Sequence, residues 1–96
     1  MILTGKAKED FLEYLDVEEK WFNEEYIPLF EYALIIEWFD SVGIYCVPNY
    51  NFINKNWSCS AKDIYTILYR GCNFNSRQEA TRQAIIKANE IYNSKK

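Results

Sequence analysis

Apolar residues recur at helical spacing from the N-terminus onward. Thr4 is placed to cap a helix over residues 6–22, with Phe11, Leu12, Leu15 and Phe22 on one arc and Tyr14 and Trp21 at its edge. Glu9, Glu13, Asp16 and Lys20 fall opposite. Glu18 lands inside the apolar arc, so the pattern calls for a break near Asp16, where Asp16 and Glu19 can open a new turn as a capping box. The alternatives are a Glu18 buried against a partner, or a carboxylate perturbed for catalysis.

Pro28 suits the first position of a second helix, LFEYALIIEWFDSV, and Gly43 suits its C-terminal stop. Glu31, Glu37, Asp40 and Ser41 are its polar members, so the pattern predicts a central helix covered on two sides. After Gly43 the texture turns extended. Ile44, Tyr45, Cys46 and Val47 read as a strand ended by Pro48 and Asn49, and residues 51–56 as a turn. Residues 57–60 alternate large and small, and residues 63–70 form the best strand by β-branched and aromatic content, closed by Gly71.

The last helix opens with Ser76 and, three residues on, Glu79, a capping box. Ala80, Ala84, Ala88 and Ile91 share one narrow arc, a seam that admits close packing. Arg77, Arg82 and Lys87 are five apart, so each is turned about 140° from the last and they form no single stripe. The predicted fold class is α+β. Two N-terminal helices precede a small antiparallel sheet of two or three strands, and a C-terminal helix packs on that sheet, in one domain spanning residues 1–96.

Composition sharpens this reading. Seventeen aromatics in 96 residues exceed what a small core needs, so some are expected at a partner. Residues 1–48 hold eleven Asp and Glu against three Lys, and residues 49–96 hold eight Lys and Arg against three acids. Such asymmetry pairs the halves of a fold, pairs neighbouring subunits, or steers a charged partner. The chain has no histidine, so it lacks a Ser-His or Cys-His pair, and its three cysteines form no CxxC motif. No metal, cofactor or enzymatic activity is expected. No stretch reaches the roughly 20 apolar residues of a membrane span, and the acidic N-terminus does not read as a signal peptide. A reduced, cytoplasmic protein is the expectation.

Two resemblances add to this. The stretches EWFDSVGIY and SRQEATRQAIIKANEIYN resemble small proteins of phages, prophages and other mobile elements of gut Bacteroidetes-type bacteria. That likeness implies a helix, a strand pair and a closing helix, and a genomic setting. Ser76, Arg77, Ala80, Ala84 and Ala88 are also similar to the closing helix of double-stranded RNA-binding domains. The chain departs from that pattern at Gln78, in the missing histidine-containing strand loop and in its acidic first helix.

The leading expectation is a non-catalytic protein-interaction domain of a phage or mobile element, acting on a host or phage protein and self-associating. Trp21, Phe22, Tyr26 and Trp38 are its candidate contacts. Inhibition of a host defence system fits that setting. The alternative is a nucleic-acid-binding module that uses Lys55, Lys62, Arg70, Arg77 and Arg82, with Trp57 or Tyr69 for stacking. Third stands an enzyme with Cys72 as nucleophile.

Overall fold

A computed structural model describes residues 1–17 and 28–95. The elements run α1 (Gly5–Val17), α2 (Pro28–Ser41), β1 (Tyr45–Asn51), β2 (Asn56–Lys62), β3 (Ile67–Phe74) and α3 (Arg77–Ser94). The strands form one antiparallel sheet in the order β1-β2-β3. The architecture is α+β, with α3 laid across all three strands, as the alanine spacing predicts. Ala80, Ala84 and Ala88 are wholly buried in that seam together with Ile85, whereas Ile91 is half-buried at its edge.

α2 packs beside α3 and over β1, and α1 packs on α2 and α3. Trp38 sits where the three helices meet, its ring 5.9 Å from Phe11 and 5.0 Å from Tyr92. α2 ends as a Schellman motif: Gly43 N–H donates to the Asp40 carbonyl and Ile44 N–H to the Phe39 carbonyl. Gly43 has φ +85°, a conformation that L side chains rarely adopt, which accounts for the glycine there. Ile44 and Phe39 both enter the core, the apolar contact that accompanies this cap.

The first helix differs from its reading in two ways. Its buried stripe is Ala7, Phe11 and Leu15, continued by Leu3 ahead of the helix, while Leu12 is exposed at the margin of the arc. The N-terminal cap is not the Thr4 side chain. Ala7 N–H donates instead to Asn93 Oδ1 at 2.8 Å, from the far end of the chain. Asn93 Nδ2 in turn donates to the Thr4 carbonyl, and Asn89 exchanges two 3.0 Å bonds with Thr4, accepting from its N–H and donating to its hydroxyl. Gly5 makes room for this: φ is +60°, and a Cβ there would stand 3.1 Å from Asn93 Nδ2. Tyr92 donates its hydroxyl to Asp10, and burial followed by that bond pushes the phenol up to about 12, so it stays a donor. The break expected near Asp16 lies at the end of the described helix, and Glu18 and Glu19 lie outside the described residues.

The strand boundaries also shift. β1 runs through Pro48 to Asn51 instead of ending at Val47. It is an edge strand, where a missing N–H costs no ladder bond if it points away from the neighbour. Residues 63–66, read as the start of the best strand, form the β2–β3 turn, and β3 continues through Gly71 to Phe74. The side chain of Asp63 overrides the β-propensity of Ile64 and Tyr65 by accepting from the Tyr65 and Thr66 N–H groups, both at 2.8 Å.

Replacing Asn93 by Ala removes the acceptor for Ala7 and the donor to Thr4, and is expected to cost about 1–2 kcal/mol in chemical denaturation. Asn93→Asp keeps the acceptor at the positive end of α1 and is expected to lose less. Equal losses in the two variants would show that the acceptor is not what matters.

Candidate protein-interaction surface

The sheet has two unlike faces. Cys46, Cys59 and Ala61 point inward and are buried. The alternate positions Tyr45, Val47, Ser58, Ser60 and Lys62 therefore point outward, and among the described residues no element packs over them. Register places Tyr45, Lys62 and Ile67 in one cross-strand row, with Val47, Ser60 and Arg70 in the next.

Both hairpin turns that border this face share one construction. In the β1–β2 turn, Asn51 Oδ1 accepts from Ile53 N–H at 2.9 Å and Asn54 N–H at 3.1 Å. Asp63 Oδ1 makes the equivalent pair of bonds in the β2–β3 turn, where Asp63 N–H also donates to the Thr66 carbonyl at 3.1 Å. These are Asx turns, which hold a crest in a defined shape. What they hold is unusual for a turn: Phe52 and Ile53 are 83% and 92% exposed, and Ile64 and Tyr65 are 70% and 88% exposed. Turn crests are normally polar, and exposed pairs of large apolar side chains mark contact sites.

The β2–β3 crest is the broader one. Ile67 and Leu68 are exposed beside it, and Tyr45, Lys62, Asp63, Ile64, Tyr65, Thr66 and Ile67 enclose a shallow depression of about 470 Å³. At the other crest Tyr50 stacks edge-on against Phe52 at 5.1 Å and against Trp57 at 5.3 Å. Seven residues of β2 separate the two crests, a span of about 20 Å.

The predicted contact residues are not at this surface. Trp38 is 2% exposed: its indole fills the junction of the three helices and is a core group, correcting its reading as a contact. Trp21, Phe22 and Tyr26 lie outside the described residues. The five predicted cations are not gathered into one face. Lys62 and Arg70 lie on the open sheet face, Lys55 on the β1–β2 turn, and Arg77 and Arg82 on α3 in the opposite layer. Of the stacking candidates, Trp57 is half-buried under Tyr50, and Tyr69 lies beneath the Lys87 ammonium, 5.4 Å from its ring centre.

Cys72 is an exposed thiol on β3. Cys46 and Cys59 are buried, and burial, with Asp40 adding to it, pushes the Cys46 thiol up to about 12. Among the described residues no group of three His, Cys, Asp or Glu is placed to hold a metal ion, and no helix is long and apolar enough to cross a membrane. The crest residues Phe52, Ile53, Ile64 and Tyr65 were hidden in the sequence by their apolar character, which reads as core or strand. The available signal was Asn51 and Asp63, each standing just before an apolar pair. Compared with known proteins, the chain matches no family model, no curated protein and no solved structure.

Two outcomes follow from this geometry. A thiol reagent at neutral pH is expected to place one adduct on the native protein, at Cys72, and three on the unfolded chain, read by mass spectrometry. The two N–H bonds hold the Asp63 carboxyl below the usual carboxylate range. Its support of the turn is therefore complete above the unfolded value of about 3.9 and is lost as pH falls through the lower folded value. The Tyr65 and Thr66 amide signals in NMR are expected to titrate together with a midpoint below that of an unfolded aspartate.

Proposed function

We propose that this chain is a non-catalytic protein-interaction domain that grips its partner with the two hairpin crests. The observation that carries this reading is the repeated device: in each turn an Asx side chain fixes the backbone so that two large apolar residues stand in water. A pre-shaped crest loses little conformational freedom on docking, so its apolar area goes into affinity. Between the crests, the small side chains of Ser58 and Ser60 leave the sheet face flat enough for a partner to bridge both ends. Lys62 and Arg70 on that face favour an acidic partner surface. The scatter of the basic residues over both layers of the fold supports a protein partner over a nucleic acid, which draws Lys and Arg along one track. The likeness to mobile-element proteins points to a protein of the bacterial host as that partner.

The test is comparative capture from an extract of such a host, using the chain and two doubly substituted variants, Phe52→Ser/Ile53→Ser and Ile64→Ser/Tyr65→Ser. All four positions are solvent-exposed, so folding, checked by circular dichroism, is expected to survive. A partner bound through the crests is recovered by the parent chain and lost by at least one variant. Recovery of the same protein by all three would overturn the assignment.

A further inference from the structure

The open sheet face carries charge of one sign. Lys62 and Arg70 are exposed on it, and Asp63, the acid next to Lys62, has its carboxylate committed to the β2–β3 turn. Neither cation has an ion-pair partner among the described residues. Ser58 and Ser60 make a low middle, bounded at its ends by the apolar crests about 20 Å apart.

A surface of matching length and opposite sign lies elsewhere on the same chain. α1 buries Ala7, Phe11 and Leu15 and exposes Glu9, Leu12, Glu13 and Asp16. At 100° per residue these four share an arc of about 100° on the side away from the buried stripe. The three acids have no ion-pair partner among the described residues, since Lys6 pairs with Asp10. Leu12 stands among them, 42% exposed. The helix has 13 residues, a length of about 20 Å, which matches the distance between the crests. It touches no strand of its own sheet, so its outer stripe does not serve its own open face.

We propose that the open sheet face receives α1 of a second copy of this chain. Glu9, Glu13 and Asp16 then meet Lys62 and Arg70, Leu12 supplies an apolar contact over the serines, and the crests close on the two ends of the helix. Packing two open faces against each other would instead set Lys62 and Arg70 of one copy against those of the other, like charge against like. The proposal rests on the crest-bordered face being the binding surface, and it names an occupant for that face. The copies meet through unlike patches, so the contact extends to further copies unless it closes into a ring. A host protein held by the crests displaces the neighbouring α1, so self-association regulates access to the face.

The experiment is light scattering on the full chain and on two charge reversals at exposed positions, Lys62→Glu/Arg70→Glu and Glu9→Lys/Glu13→Lys, with folding checked by circular dichroism. One helix on one three-stranded face is a small interface, so the parent is expected to exceed its monomer mass at concentrations on the order of 100 μM. Raising the salt is expected to return it to the monomer. Each reversal alone sets like charges together and is expected to stay monomeric. Mixed one to one, the two variants present opposite charges again, and the mass is expected to rise as in the parent. A monomeric parent overturns the proposal and leaves the face to an acidic host protein, judged by the capture experiment. Self-association that survives either reversal, or a mixture that stays monomeric, overturns it too. Failed capture beside a restored mixture sinks the host reading alone.

Discussion

The close approach of α3 to the sheet is the constraint from which the rest of the molecule follows. Ala80, Ala84 and Ala88 have no side chain beyond Cβ, so the helix axis can settle onto the strands and touch all three. Anything larger along that line would lift the helix and forfeit contacts on both sides, because interiors are packed to crystal density. With one helix spanning the whole width of a three-stranded sheet, α2 is left to fill the space beside it over β1, and α1 must build on the helices. The other face of the sheet receives no cover among the described residues.

The residues following the alanines on α3 solve a second problem. A first helix that touches no strand has a small apolar contact, and its N-terminal N–H groups need acceptors. Asn89 and Asn93 lie one turn apart and both reach the Thr4 backbone, while Tyr92 between them reaches Asp10. Asn89 is buried, and among the described residues no buried side-chain polar atom lacks a partner. The start of the chain is thereby tied to its end by paired, mutually satisfied groups, which specify geometry as well as adding stability. The acidic and basic halves meet through these hydrogen bonds, while Lys6–Asp10 and Lys87–Glu90 are ion pairs internal to a helix.

The surfaces proposed for binding occupy positions that the packing leaves free. The crests stand at the two ends of the uncovered sheet face. Little of this was legible from the chain alone. Phe52, Ile53, Ile64 and Tyr65 look like core residues by type, and Ile64 and Tyr65 also fit a strand by propensity. Whether such a residue faces water depends on where the hairpin turns, and for the second hairpin a single carboxylate, Asp63, decides that. Conversely, Trp38 looks like a contact residue because aromatics are abundant, yet it is spent on the junction of three helices.

Local chemistry by itself determined the fold class, the stop of α2 at Gly43, the capping of α3 by Ser76 and the alanine seam, since each rests on residues within a few positions of one another. It also placed Arg77, Arg82 and Lys87 on diverging faces, because helical geometry alone sets those angles. Tertiary structure decided what depends on distant partners: that Asn93 and not Thr4 caps α1, and that Leu12 stays in water. It decided too that Pro48 lies inside an edge strand, and that one sheet face remains open. The physical reason is the range of the forces. Caps and turns act over three or four residues, whereas burial and hydrogen-bond satisfaction are settled among groups as much as 89 residues apart.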